Sequence, residues 1–418
     1  MESPKQKNTL LSSINPLIYL DSPATTMCDP RVFEKMSLYF CQSFGNAHSK
    51  NHAYGWAADE AVSIAKTQIS DFFGIDNSEV IFTSGATEAN ILAIRGVIDY
   101  FRYSKKVPQN HIITTQIEHE SILSCCRQVE EEGGQVTYLK VSNKGLVDPG
   151  DVYKSITNKT AIVSVMAVNN EIGTIQPIEE IGEICAQKGV AFHSDVTQAV
   201  GKMEINFKKC NIGLASMSGH KIYGPKGIGA LFVRRSPLVK LRSIFPGGGQ
   251  QRGIRGGTLP VPLCVGLGEA FNVLAKEYNH EILRIFALNK ILMQGILGSI
   301  PLAKLNGDEI QKVPHISNLA FPYVEGESVI MGLENVCLST ASACSSTNLE
   351  PSHVLKAINA DEYAIQSSIR FGIHRFTTQE EIEQVIKKLA STIEKLREMS
   401  PLWEMYKEGI DMKSIKWI

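Results

Sequence analysis

No apolar run among the 418 residues approaches the roughly 20 needed to cross a membrane. The longest, "AIVSVMAV", is far shorter, so no membrane association is expected. No charge sign dominates either: 42 Lys and Arg stand against 43 Asp and Glu, for a formal net charge of −1. That balance argues against nucleic acid as the main partner. The opening stretch "MESPKQKNTLLSSINPL" has no apolar core and no arginine before Arg31, so no secretory or organelle-targeting leader is expected. Nine cysteines occur, at 28, 41, 125, 126, 185, 210, 264, 337 and 344, without a C-x-x-C. The odd number and the spacing favour neither a disulfide framework nor a zinc knuckle. The chain therefore reads as cytoplasmic, with reduced thiols and no resident metal.

There is no internal repeat, no low-complexity segment and no flexible linker. From about residue 60 to 235 short apolar runs alternate with helical patterns. "EVIFTS" precedes a helix near "ATEANILAIRGVI", and "HIITTQ" precedes one near "HESILSCCRQVEEEG". "QVTYLKV", "TAIVSVMAV" and "VAFHSD" follow, with "IEEIGEICAQKG" as a helix before the last, and then "GIGALFVRR". This rhythm predicts an α/β fold with a mostly parallel central sheet covered by helices on both faces. A helical stretch at about 260 to 300 leads into a smaller α+β segment with "HISNLAFPYV", "SSIRFGIHRF" and a last helix at 378 to 398. The expected division is an N-terminal segment, 1–30, packing on the small domain; a large domain, 31–299; and a small domain, 300–418.

"MSGHKIYGPKGIG" carries the sharpest chemistry. Most lysines are solvated, but Lys221 ends the apolar strand "IGLASMS", where a buried ammonium is costly without a partner. A desolvated lysine loses its proton readily and attacks carbonyls, as a pyridoxal phosphate site requires. Such a site also needs a carboxylate for the ring nitrogen, donors for the phosphate and a group over the ring. In "VAFHSDVTQAVG", Asp195 closes a strand and Gln198 follows. An aspartate there is as often a helix cap as a ligand, but the carboxyl edge of a parallel sheet is where ligands bind. "TSGATEAN" opens a helix whose free N–H groups around Ala86 and Thr87 suit an anion, with Glu88 able to complete a cap. His119 starts the next helix, where histidine is commonly a cap. In "LSTASACSST", Cys344 sits among small residues that cannot pack around it, unlike a structural thiol.

The combined spacing of T-S-G-A-T-E, E-H, N-N-E-I-G, H-S-D-V-T-Q and S-G-H-K-I-Y-G-P-K-G-I-G resembles the class V aminotransferase group of pyridoxal enzymes. With "GGGQQRGIRGGT", "SACSS" and "SSIRFGIHRFTT", the chain is similar to an IscS-type cysteine desulfurase from "IYLDSPATT" to "SPLWEMYKEGIDMKSIKWI". The resemblance implies a fold-type-I homodimer that uses pyridoxal phosphate to convert L-cysteine to L-alanine. It makes Lys221 the lysine that carries the cofactor, Asp195 the partner of the ring nitrogen, and Gln198 the partner of the ring hydroxyl. His119 would stack on the ring and relay protons. Ala86, Thr87, Ser218 and His220 would hold the phosphate, with Thr258 reaching in from the second subunit. Asn170 and Arg370 would take the substrate carboxylate, for which a planar guanidinium fork is suited.

By the same resemblance Cys344 takes the sulfur as a persulfide and presents it to an acceptor. It would also ligate, transiently, a nascent iron–sulfur cluster on the scaffold protein. The C-terminal tail would dock an IscU-type scaffold, and frataxin-like, ferredoxin and tRNA-thiolation partners are further implied acceptors. Three departures from the family pattern stand out: Ser22-Pro23, Gln251 with Gly257, and Thr340-Ala341. None removes a catalytic group. A related aminotransferase or selenocysteine lyase is the nearest rival, and Cys344 argues against it. A non-catalytic thiol or metal relay would leave Lys221 and Asp195 unexplained.

Overall fold

A computed structural model describes residues 17–105, 109–340 and 351–409. A seven-stranded sheet runs in the order β2 (Val80–Thr83), β8 (Gly229–Val233), β7 (Leu214–Ser218), β6 (Ala191–Asp195), β5 (Thr160–Ser164), β3 (His111–Thr115) and β4 (Gln135–Leu139). β2, β5, β7 and β8 are short runs buried on both faces, as a helix-covered sheet demands, while the edge strand β4 is partly exposed. All neighbours pair in parallel except β8, which runs against both β7 and β2. Two reversals restore the direction, so β2 points the same way as the rest. The carboxyl ends of β2, β3, β6 and β7 therefore share one edge, which brings Thr83, Thr115, Asp195 and Ser218 together. Gly229 starts β8 at that edge, paired with both Thr83 and Ser218. A Cβ there would lie 2.5 Å from the Met217 carbonyl oxygen and 2.8 Å from Gly85 Cα, so only glycine lets the strand approach the turn after β2.

The smaller unit has a four-stranded antiparallel sheet ordered β12 (Ser339–Thr340), β13 (Ser368–Gly372), β10 (Ile316–Ala320) and β9 (Lys304–Asn306). The helix Gln379–Glu398 covers it, started by a capping box between Thr378 and Glu381. The short strand β1 (Ile18–Tyr19) adds in parallel to β11 (Val336–Cys337). From there the N-terminal segment crosses to the large domain, where Thr26 N–H donates to the His220 carbonyl at 2.8 Å and Asp29 N–H to the Tyr223 carbonyl at 2.9 Å. It thus stitches the two units together over residues 18–29.

The helix Val261–Ser299 is long and apolar enough by composition to cross a membrane. One face of it packs into two cores, while Leu283, Phe286 and Leu297 on other faces are exposed. Val261 to Leu274 join the large-domain core, and Ile285 to Ile296 join the small-domain core with Leu319, Phe371 and Leu389. The division expected at 299/300 therefore falls inside this helix, between Leu274 and Ile285. The pattern misleads because one continuous amphipathic helix shows no break where its buried face changes partner.

Candidate active site

The shared strand edge opens into a cavity of about 590 Å³. Lys221, Asp195, Gln198, His119, Asn170, Ala86, Thr87, Ser218 and His220 all line it, so one space collects nine of the residues singled out in the sequence.

Most sit at or beside a strand end or a helix start, while Asn170 lies in the loop after β5 and Gln198 in the turn after β6. The helix Ala86–Asp99 begins at Gly85, which offers no side-chain cap, so its first N–H groups face the cavity unsatisfied by the cap. Glu88 braces this turn rather than filling the cavity alone. It accepts from Ser84 N–H at 2.7 Å and from the Arg255 guanidinium at 2.8 and 3.2 Å. Those bonds outweigh its burial and hold its pKa down. His119 caps the helix Glu120–Glu131, accepting from Ser121 N–H on Nδ1 at 3.1 Å, and also faces the cavity. The two readings of this histidine are compatible. Burial lowers its pKa, which favours neutral imidazole.

Asp195 is 6% exposed and ends β6. Its Oδ2 accepts from the Asn90 amide at 2.8 Å and its Oδ1 from Thr197 N–H at 2.9 Å. Among the described residues it has no ion pair. A buried carboxylate held only by neutral donors is a fitting partner for a cationic N–H. Lys221 donates to the carbonyls of Pro23 and Ala24, the latter at 2.6 Å, and Gln198 Nε2 donates to the Pro23 carbonyl at 2.9 Å. His220 contacts Thr25 Oγ1 at 3.1 Å, and burial beside Lys221 lowers it to about 4.

Arg370 does not line the cavity. Its guanidinium is buried, donating to the Asn170 carbonyl at 3.0 Å and to Asp21 Oδ1 at 2.8 Å. Thr258 is exposed and also lies outside the cavity of its own chain. Cys344 and Ala341 lie outside the described residues. The chain after them is anchored firmly. Ser352 caps the helix His353–Ala357 and donates to Glu171 Oε2 at 2.5 Å, while His353 Nε2 meets the Glu118 carbonyl at 3.0 Å. Val354, Leu355 and Ile358 pack on Ile117 and Ile172. These anchors directly neighbour His119 and Asn170 in sequence.

Sequence reasoning missed Pro23, Ala24, Thr25, Met166 and Val168 in the lining. "LDSPATT" was a signal for the first three, since a Pro-containing turn after a strand offers free carbonyls. It also missed Asp21, the partner of Arg370, and Lys202, which donates to Gln198 Oε1.

The family model for class-V aminotransferases matches residues 18–385. The cysteine desulfurase IscS of Rickettsia bellii is 50% identical over 410 residues, covering 98% of this chain and 99% of its own. The human cysteine desulfurase is 50% identical over 400 residues, covering 96% of this chain and 87% of its own. Among solved structures, a NifS-like protein superposes with a TM-score of 0.83 at 31% identity, covering 90% of this chain and 99% of that one. A structure described as SspA in complex with cysteine gives 0.77 at 33% identity, covering 86% and 100%. The chain belongs to the class-V aminotransferase family and, within it, to the cysteine desulfurases.

Proposed function

We propose that this protein is a pyridoxal phosphate-dependent cysteine desulfurase, converting L-cysteine to L-alanine with a persulfide left on Cys344. The observation that carries the reading is the pairing, in one cavity, of Lys221 with the buried and otherwise uncompensated Asp195, beside a helix start open to an anion. These are the three contacts that the cofactor's aldehyde, ring nitrogen and phosphate need. The cofactor, when bound, supplies an electron sink that loosens bonds at the substrate Cα and Cβ.

The chain's own residues do the rest. Asp195 would accept from the ring N–H, Gln198 would donate to the ring hydroxyl, and His119 would cover the ring and relay protons. The backbone at Ala86 and Thr87, with Ser218 and His220, would hold the phosphate. Lys221 would hold the cofactor and would serve as the base for the substrate Cα proton. Asn170 orients the substrate carboxylate, and Arg370 reaches it on release from Asp21. The Cys344 thiolate forms an S–S bond to the substrate sulfur as the C–S bond breaks. That bond's electron pair stays with carbon, which takes a proton to give alanine.

The same reading makes the protein a cytoplasmic homodimer in which Thr258 completes the partner's phosphate site. It supplies an IscU-type scaffold, docked on the C-terminal tail, with sulfur for iron–sulfur clusters. Cys344 would share ligation of the nascent cluster, and frataxin-like, ferredoxin and tRNA-thiolation partners extend the list. Incubation with L-cysteine and a reductant, assaying alanine and sulfide together, tests the reaction. Equal amounts are expected. Cys344→Ser should release no sulfide while keeping the cofactor, because a serine oxygen cannot hold a persulfide. Sulfide release undiminished in that variant would refute the assignment.

A further inference from the structure

Behind the cavity lies a second cationic side chain that the reaction scheme does not use. Lys202 is 6% exposed and does not line the main cavity. It borders a narrow crevice on the far side, with Lys221, Glu281 and His315. An ammonium so buried is costly unless it is hydrogen-bonded. Its one hydrogen bond among the described residues goes to Gln198 Oε1. Burial, with Lys221 and Arg370 nearby, lowers Lys202 to about 7, and Glu281 opposes that shift. Stability alone would favour an apolar side chain at this place.

The contact decides something that is otherwise ambiguous. A glutamine amide can sit either way round, because its oxygen and nitrogen are the same size. In its protonated form Lys202 has only donors, so the end of Gln198 facing it is the oxygen. A carbonyl only accepts, so the end facing Pro23 O must be the nitrogen, and that distance is 2.9 Å. Both neighbours impose the same orientation. Gln198 lines the cavity, and the amide hydrogen not given to Pro23 is its remaining donor.

We infer that Lys202 is a positioning residue that locks the Gln198 amide with its donor end toward the cofactor ring oxygen. The inference rests on the reading of Gln198 as a cofactor contact. A donor there stabilises the ionised ring oxygen, whereas a flipped amide would present a lone pair and repel it. Without Lys202 only the Pro23 carbonyl holds the amide in this orientation, and the preorganisation is weakened.

Lys202→Met, Gln198→Ala and the double variant test this on the full-length protein. The readouts are the dissociation constant of pyridoxal phosphate and the absorption maximum of the bound cofactor. Loss of one charge-assisted contact should weaken cofactor binding about ten-fold in each single variant. The double variant should bind no more weakly than Gln198→Ala, and Lys202→Met should shift the absorption maximum only when Gln198 is present. Unchanged binding in Lys202→Met, or the same loss with and without Gln198, would overturn the positioning role. If Gln198→Ala itself has no effect, the reading of Gln198 fails instead. The melting temperature of cofactor-free Lys202→Met should equal or exceed that of the wild type. A variant that fails to fold would overturn the inference by making Lys202 a structural residue.

Discussion

Gln251 shows how a departure from a family pattern acquires a physical meaning at the scale of one side chain. It is buried beside the edge strand β2, where its Oε1 accepts from Phe82 N–H at 2.6 Å and its Nε2 donates to the Phe82 carbonyl at 2.8 Å. The amide thus pairs with the strand as a neighbouring backbone would, and β2 leads directly into the turn before Ala86. A carboxylate could satisfy only one of these partners. Gln251→Glu can keep both by staying protonated, which raises its folded-state pKa above the unfolded value of about 4.3. For an acid shifted upward, the folded state holds the proton longer, so stability falls as pH rises above the unfolded pKa. Its deficit against wild type should be small at pH 4.5 and grow to about 2 kcal/mol by pH 8, read from urea midpoints. A deficit equal at both pH values would mean that the Phe82 carbonyl does not need the donor. Gly257 has an equally local reason: its φ of +100° suits glycine and strains serine. The thiols other than Cys344 divide by burial, which pushes Cys125, Cys185 and Cys264 up to about 12 and leaves them poor nucleophiles.

At the scale of elements, the strands and helix starts that carry chemistry were legible because each is a local pattern. "VAFHSD" ends its strand at Asp195, "IGLASMS" delivers Ser218 and Lys221, and "TSGATEAN" opens a helix at Ala86. What stayed hidden depends on pairs far apart in the chain. Asp21 and Arg370 are 349 residues apart, and Pro23 and Lys221 are 198 apart. No periodicity encodes such pairs; they follow from β1 joining the small domain while Thr26 and Asp29 join the large one. The tail is a mixed case. Its aromatic residues suggest an interface, yet Trp403 stacks on Tyr406 at 5.3 Å, Tyr406 packs on Tyr323 at 4.9 Å, and the Arg397 guanidinium covers Trp403 at 4.6 Å. Trp403 and Tyr406 therefore belong to the small domain, while Ile410, Ile415 and Trp417 lie outside the described residues. Two truncations separate the roles. Removing 410–418 should abolish binding of an IscU-type scaffold while leaving the melting temperature and sulfide release to a small thiol unchanged. Removing 401–418 should also lower the melting temperature, because Tyr323 and Arg397 lose their cover. Full scaffold affinity in the shorter truncation would place the docking surface elsewhere.

At the scale of the whole molecule, the cavity collects residues from the N-terminal segment, five strand ends and two helix starts, but not Thr258. That residue is exposed on its own chain, just before the helix Val261–Ser299 that joins the two cores. If it completes the phosphate site of a second copy, each active site draws on two chains across an isologous interface. Thr258→Asp would then set a carboxylate against the partner's phosphate, and like charges at contact distance should expel the cofactor. Lys221→Ala disables a site from the other side, within its own chain. Each variant alone should be inactive. In a mixed dimer both lesions fall in one site, and the other keeps wild-type Lys221 and Thr258. Random pairing makes half the dimers mixed, each with one intact site, so co-refolding should restore about a quarter of wild-type sulfide release. No recovery, with mixed dimers demonstrated by differently tagged chains, would show that Thr258 serves its own chain or that neither site works unless both are intact.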